Sequence, residues 1–596
     1  MTSTKPSPEA VFQQASVLSL AGNLREARAT LDPIVQSPAA PPAILAAAGH
    51  LDLALGRLAS ARRVLERAVV MAPEAPAVLE DLGRVFWRTG KLDDAARLLG
   101  QVVRRWPRRA SAWVAFGEVR LRQRRLPDVD AASAQLLMVA PESPDGHRLR
   151  TLVALERGRL EGARLAIDIW LNAFPRSTEA MSLLADLQSR GRHFDQAEAT
   201  FQDALGRAPN DLALRTRYAH HRGRRGDFLY ALQLFTDIAR QSPEQAIHIA
   251  NRGIAQMWAG QLDAAVQSLE AAAQMEPSNA NHRWNLSHAI LQSGDYRRGF
   301  EIHEQRVALF GPPSWWNTRW RGEALPKGTP LFLDAAQGLG DAIQFVRFAQ
   351  DAADRGAAVT VRAHSRILPL FASADGVSAG SPKSDAVGPG VKRARLLSLP
   401  HAIGVEASSD LGHRVPYLYA EPERVARWTE RIRGPDFKVG IVWQGNPAYD
   451  LDHLRSPPLR HYLPLTALDG IQAFSLQKFH GVDQLASVDP STHPIVDLGP
   501  ELDLDVAFLD TAATMKALDL VITSDTSIAH LAGALGVPTW VVLPFAPDWR
   551  WPRTGSQTPW YPTMRLFRQT QSGDWAGVLK RVATALSERA ASEPSR

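Results

Sequence analysis

The sharpest alternation of apolar and polar positions lies at residues 518–538, LDLVITSDTSIAHLAGALGVP. Leu518–Ile522 is a run apolar except for Asp519, of strand length and β-branched content. The polar cluster Thr523–Ser527 follows, and then a helical pattern places Ile528, Leu531, Ala532 and Leu535 on one face. Gly536 stands where a helix C-cap belongs, and Pro538 prevents continuation. Thr539–Leu543 is apolar throughout, as a strand buried on both faces requires. The pattern predicts a strand–turn–helix–strand unit whose turn aims backbone N–H groups and a positive helix end at one point, an arrangement suited to phosphate.

The same grammar recurs upstream. Pro330–Ala335 predicts a strand, Ala336-Gln337-Gly338-Leu339-Gly340-Asp341 a tight turn, and the next residues a helix through about Asp354, with strand resuming at Ala358–Val361. Glu421–Arg433 reads as a connecting helix, Lys438–Trp443 and Gln472–Leu476 as strands, and the region around Thr511–Leu518 as a helix.

The first half is periodic instead. Proline recurs at 73, 107, 141, 175, 209, 243 and 277, a constant step of 34 residues. Small residues keep the same step: Gly49, Gly83, Gly117, Ala185, Ala219 and Gly253 at one phase, Gly56, Gly90, Gly158, Gly226, Gly260 and Gly294 at another. Ala61, Ala95, Ala163, Ala197, Ala231 and Ala265 mark a third. This is the tetratricopeptide pattern, in which small residues let two helices cross closely and glycine makes the turn between them. About nine units run from roughly Pro8 to Pro313, the fourth degenerate around Val129. Such stacks hold peptide, or they pair as scaffolds. Trp87, Trp113, Phe235 and Trp258 offer grip on a partner or pack between helices.

The expected fold class is multidomain: an all-α tetratricopeptide superhelix followed by an α/β region with two Rossmann-like lobes. Its expected boundaries are 8–313 for the repeats, 314–329 for a linker, 330–420 for a first lobe and 421–437 for a connecting helix. A second lobe over 438–570 and a terminal helix over 571–590 complete the chain.

Composition narrows the chemistry. The net charge of +6 is carried mostly by arginines spread along helices, which predicts a solvated surface and no nucleic-acid partner. Cysteine is absent, which removes disulfides and thiolate metal sites. The opening MTSTKPSPEA lacks the apolar core of a signal peptide, and no apolar run reaches spanning length, so the expected compartment is the cytoplasm, without stable membrane insertion. HExxH, a Walker lysine after GxxxxG and a GxSxG elbow are all missing.

Candidate site residues gather at predicted strand ends. Asp341 is expected to cap its helix at a strand's carboxyl end, where open α/β sheets place ligands, although a glycine turn with a capping aspartate also serves as a plain connection. The second lobe offers Gln444 and Asn446 after one strand, then Asp452, His453 and Arg455, then Gln477 and Lys478 after the next. The 518–538 unit adds Ser524, Asp525, Thr526, Ser527 and His530. Beyond it, Trp549, Arg550 and Trp551 lie in an aromatic loop whose rings either stack on a base or sugar or anchor the chain. A carboxylate on one lobe facing phosphate-binding groups on the other suits group transfer from a nucleotide donor: a base deprotonates the acceptor hydroxyl while the opposite side stabilises the departing phosphate.

From about Trp316 to Trp575 the stretches QGLGDAIQF, GIVWQGNP, FSLQK, SDTSIAHLAGALG and PFAPDWRW resemble bacterial glycosyltransferases of the two-lobed GT-B fold related to lipopolysaccharide heptosyltransferases. The resemblance implies Asp341 as catalytic base, joined by His530. It places Gln337, Gly338, Gly340, Gln444, Asn446, Arg455, Gln477, Lys478, Ser524, Asp525, Thr526, Ser527 and Arg550 around the donor. Ser527 stands where heptosyltransferases carry glycine, and the first lobe is small, which points away from an ADP-heptose donor and a lipid acceptor. A repeat arm fused to such a lobe pair is similar to bacterial flagellin glycosyltransferases. That layout implies transfer of a nonulosonic acid of pseudaminic type from a CMP donor to Ser or Thr, flagellin bound by residues 8–313, and no metal or other cofactor. Arg455 or Arg550 would then meet the sugar carboxylate. Two other readings stay open: a flagellin-binding adaptor with an inactive transferase half, and an enzyme acting on a lipid-linked glycan.

Overall fold

The computed structural model describes residues 7–335, 338–383 and 387–592. Its chain forms two compact units, Met1–Leu214 and Arg215–Arg596. The first is all helical and runs from the Pro8–Leu20 helix to the Phe194–Arg207 helix as antiparallel pairs. The turn inside each pair falls at Gly22, Gly56, Gly90, Arg124, Gly158 and Arg192, all with positive φ. Arg124 (φ 56°) and Arg192 (φ 63°) thus hold the left-handed turn without glycine, and the fourth unit around Val129 folds like its neighbours. Close crossing explains the other small phase: a Cβ added at Gly83 would lie 2.8 Å from Leu99 Cγ on the partner helix.

The second unit opens with three more pairs, whose turns at Gly226, Gly260 and Gly294 continue the step of 34. The compact boundary therefore falls inside the repeat array and not at 314–329. The reason is a shared core, since Leu291, Tyr296 and Phe300 of the last pair are buried together with Trp320, Phe345, Trp549 and Trp560.

Two parallel sheets follow. The first contains β1 (Thr329–Asp334), β2 (Ala357–Ala363), β3 (Val377–Pro382) and β4 (Lys392–Arg395) in the order β3-β2-β1-β4. The second contains β5 (Phe437–Val442), β6 (Ile471–Ser475), β7 (Ile495–Asp497), β8 (Leu520–Ser524), β9 (Thr539–Leu543) and β10 (Met564–Arg568). Its order is β10-β9-β8-β5-β6-β7 with every pairing parallel. From β5 the chain winds outward through β6 and β7, then returns to the other side of β5 through β8, β9 and β10. Strand order therefore reverses between β5 and β8, and a crevice opens at their carboxyl ends, as in doubly wound nucleotide-binding sheets. Every residue of β5, β8 and β9 is buried, so these largely apolar segments are strands covered on both faces.

The helix expected to run from the GLGD turn to Asp354 is interrupted. Helices at Leu339–Phe345 and Ala349–Asp354 flank a 3-10 turn at Val346–Phe348. The break leaves the buried Arg347 guanidinium to donate to the carbonyls of Leu411 (2.5 Å) and Trp560 (2.8 Å), so it ties the two lobes together behind the site. Among the described residues no helix is long and apolar enough to cross a membrane.

Candidate active site

A cleft of about 1050 Å³ lies at the carboxyl ends of both sheets, lined by Gly338, Gly340 and Asp341 from the first lobe and by Asp525, Thr526, Ser527 and His530 from the second. The two helix starts touch: a Cβ built on Gly340 would stand 3.0 Å from His530 Cδ2 and 3.7 Å from Ser527 Cα. Glycine at 340 is therefore a matter of close approach between helices.

Asp341 does not cap its helix. Gly338 occupies the N-cap position, and Asp341 sits in the first turn with 27% of its side chain exposed. Its Oδ1 accepts from Arg550 Nη2 at 2.5 Å. The same guanidinium donates from Nε to Gln344 Oε1 at 2.7 Å and from Nη1 to Asp548 Oδ1 at 2.8 Å. Desolvation in the cleft pushes the Asp341 carboxyl above the ordinary aspartate range, and Arg550 opposes the rise. Burial also works against ionisation of Asp548, but Arg550 beside it prevails and holds that carboxyl below the ordinary range. Burial, reinforced by the charge of Asp548, pushes Asp525 up. Arg550 is thus the hub of a carboxylate cluster. Its expected availability for a donor carboxylate gives way to two aspartates and a glutamine already on it.

His530 is buried and neutral. Burial lowers its pKa to about 3, and the charges of Arg550 and Arg347 act in the same direction. Its Nδ1 lies 2.9 Å from the Tyr561 hydroxyl, and its ring stacks on Trp551 at 5.6 Å between centroids. The catalytic role expected of His530 is thereby limited to hydrogen bonding, because a ring this hard to protonate cannot act as the general acid near neutral pH.

Around the switch point the loops hold each other. Thr526 is the N-cap of the Ser527–Ala534 helix, its Oγ1 accepting from Ile528 N at 3.3 Å. Gly445 lies directly opposite: a Cβ there would come within 2.7 Å of Asp452 Oδ1, 2.9 Å of Arg455 Nη2 and 3.3 Å of Thr526 Cγ2. Arg455 pairs with the buried Asp452 (3.1 Å) and covers the Tyr449 ring at 4.5 Å from its centroid. Ser524 is fully buried, which places its side chain out of reach of a donor.

Gln477 is a brace. Its Oε1 accepts from the backbone N–H groups of Trp443 (3.0 Å) and Gln444 (3.1 Å), while Nε2 donates to the carbonyls of Gln444 (2.9 Å) and His480 (2.8 Å). The donor contact expected of its amide is replaced by these four backbone bonds. Gln444 turns its own amide toward Gln484 at 3.1 Å, and Asn446 is an exposed turn residue whose Oδ1 accepts from Ala448 N at 3.0 Å. Lys478 reaches the cleft with its ammonium on the Leu502 carbonyl. Gln337 lies outside the described residues. Trp549 and Trp551 are 6% and 0% exposed, so they anchor the chain and do not stack on a ligand.

Three lining residues were not singled out in the sequence, Asp548, Tyr449 and Phe228, while Trp258, read there as a grip on a partner or as packing between helices, also lines the cleft. Asp548 sits inside the PDWRW stretch and could have been read from its neighbour Arg550. Phe228, by contrast, looks like any apolar position of a repeat helix.

Comparison with known proteins defines the class of the helical part first. The tetratricopeptide repeat model matches residues 46–96, 81–128 and 251–306, so the chain contains tetratricopeptide repeats. A longer similarity runs to Protein FlbA of Caulobacter vibrioides, 26% identical over 447 residues that make up 70% of this chain and 74% of that protein. Among solved structures, a tetratricopeptide repeat protein from Parabacteroides merdae is 15% identical and covers 48% of this chain and 98% of its own, with a TM-score of 0.32. A thermophilic tetratricopeptide protein from Thermus thermophilus is 26% identical, covering 30% of this chain and 98% of its own, with a TM-score of 0.28.

Proposed function

We propose that the chain is a protein O-glycosyltransferase of GT-B type that moves a sugar from a nucleotide donor to Ser or Thr of a polypeptide held by its repeats. One observation carries the reading: Asp341 and the mouth of the Ser527–Ala534 helix line one cleft, at the carboxyl ends of two parallel sheets. In this reading the donor phosphate rests at the β5/β8 switch point, against the Thr526 cap and the backbone of the helix start. Asp341 accepts the proton of the acceptor hydroxyl, the hydroxyl oxygen bonds to the anomeric carbon, and the bond from that carbon to the phosphate oxygen breaks. The nucleotide leaves with the electron pair. Arg550 keeps the base oriented, and its positive charge lies near the developing anion.

The donor best suited to the resemblance is a CMP-linked nonulosonic acid, the acceptor flagellin, and the compartment the cytoplasm; no metal enters the scheme. The test is intact-mass measurement of flagellin co-produced with this chain and a nonulosonate pathway. A mass gain with the unaltered protein and none with Asp341→Asn supports the reading. No gain with any nonulosonate donor overturns the donor assignment, and no gain with any sugar donor overturns the transferase reading in favour of a binding adaptor.

A further inference from the structure

Two walls of the cleft come from repeat helices. Phe228 opens the Phe228–Gln241 helix, just after the turn at Gly226, and Trp258 closes the Ala246–Trp258 helix, just before the turn at Gly260. The step of 34 residues brings these two turns to the same edge of successive pairs, and both rings line the cleft that holds Asp341, Asp525 and His530.

The rings are fixed from several sides. Phe228 stacks on Phe545 at 6.0 Å and 15° between planes, and its ring lies 6.0 Å from that of Trp258. Trp258 takes the space a side chain at Gly223 would need, since a Cβ there would be 2.4 Å from Trp258 Cζ3. Arg553 packs against the Gly260 turn and holds its guanidinium 5.6 Å from the Phe545 ring centroid. Trp258, Phe228 and Phe545 thus form one aromatic shelf. Phe228 is 6% exposed, whereas Trp258 is half-buried and presents part of its ring to the cleft.

The order of the second sheet says what lies beside the shelf. On the β6 side of the switch point the cleft is lined by Gln477 and Lys478; on the β9 side it is lined by Asp548 and Arg550, with Asp341 paired to Arg550. Phe545 follows β9, so the shelf joins the site on the side of the carboxylate. In the proposed reaction Asp341 must face the acceptor hydroxyl, and the shelf lies on the same side of the switch point as that carboxylate. The group next to Asp341 is then the acceptor.

We infer that the face of Trp258, backed by Phe228 and Phe545, is the acceptor subsite, packing on the extended polypeptide that flanks the hydroxyl residue presented to Asp341. The inference rests on the reading of the chain as a protein O-glycosyltransferase, and it makes a repeat hairpin part of the active site. Flat aromatic faces without charge select uncharged, apolar or proline-containing flanks.

The test uses the full chain with flagellin as acceptor at saturating CMP-nonulosonate, in the unaltered protein and in Trp258→Ala, Trp258→Phe and Phe228→Leu. CMP affinity is measured in parallel by calorimetry, and thermal melting verifies folding. The expected result is a rise of about tenfold in KM for flagellin in Trp258→Ala, the scale of losing one aromatic anchor. A smaller rise is expected in Phe228→Leu, near-complete retention in Trp258→Phe, and CMP affinity unchanged throughout. An unchanged flagellin KM in folded Trp258→Ala overturns the inference. So does a fall in CMP affinity of similar size, which would assign the shelf to the donor. Failure of the unaltered protein to transfer any sugar would overturn the parent reading itself.

Discussion

Gln292 Nε2 donates to the Pro547 carbonyl at 3.2 Å, so the last tetratricopeptide pair holds the loop that carries Asp548 and Arg550. Around this bond Trp549 lies edge-on to Phe300 at 6.1 Å, and Trp560 lies edge-on to Tyr296 at 6.2 Å. The residues that orient Asp341 are thereby built partly on repeat helices. Cutting the chain at 313 removes one side of that core. In a fragment of residues 1–313 the Ala280–Ser293 and Tyr296–His303 helices should exchange amide hydrogens far faster than in the full chain, and Phe300→Ala should cost the full chain about 3–5 kcal/mol. Equal protection in the fragment and the full chain would show that the pair folds without the lobes.

Arg550 lowers the pKa of Asp341 against the desolvation that raises it. In the proposed transfer Asp341 must be ionised to act as the base, so that activity should fall as pH falls through the raised pKa of this carboxyl. Removing the cation in Arg550→Gln takes away the lowering influence and should move that acid limb to higher pH, with a lower plateau. A pH–kcat profile of both proteins checks this, and a limb that stays in place would detach Asp341 from the proton transfer.

His530 provides a separate acid signature. The unfolded chain takes up a proton near 6.5 while the folded ring resists until about pH 3. Its contribution to stability is therefore intact above 6.5 and is lost as pH falls toward 3, at about 1.4 kcal/mol per pH unit. His530→Gln should flatten the fall in denaturation midpoint across this window. An identical slope in both proteins would mean that the ring protonates in the folded state.

Gly340 leaves no room for a branched side chain, because its Cβ alone would press on His530 Cδ2 at 3.0 Å. Gly340→Val should force the two helix starts apart at a cost of about 1–3 kcal/mol. Nucleotide affinity should drop with it, measured by calorimetry against Gly338→Ala, whose Cβ would meet only Asp341 Oδ2 at 3.9 Å. Unchanged affinity in Gly340→Val would disconnect the helix contact from donor binding.

Removing the amide of Gln477 should leave several backbone groups without partners. Gln477→Leu is expected to cost about 2–4 kcal/mol and to loosen the 444–446 loop. Chemical denaturation measures the first, and hydrogen exchange at Gln444 and Gly445 the second.

Particular elements show what was readable in advance. β9 spans Thr539–Leu543 as its apolar run dictates, and β5, β6 and β1 each begin one residue before the predicted start. β8 lies two residues later, at Leu520–Ser524, because hydrogen bonding to β5 and β9 extends it into the polar cluster. The repeat turns follow the step of 34 even where arginine replaces glycine at 124 and 192, since packing of the flanking helices fixes the turn whichever residue occupies it.

What the sequence determined by itself is local and periodic. Apolar runs give the strands, small residues at a fixed step give the helix pairs, and strand ends give the candidates Asp341, Asp525, Thr526 and Ser527. These depend on neighbours within one turn, one strand or one repeat, which a linear pattern records. Tertiary structure alone decided which candidates meet and in what state. Arg550 became the partner of Asp341, Gln477 a brace, His530 a neutral buried ring, and Phe228 and Trp258 walls of the cleft. Each of those outcomes turns on desolvation or on contacts between residues far apart in the chain, and neither leaves a trace in local spacing.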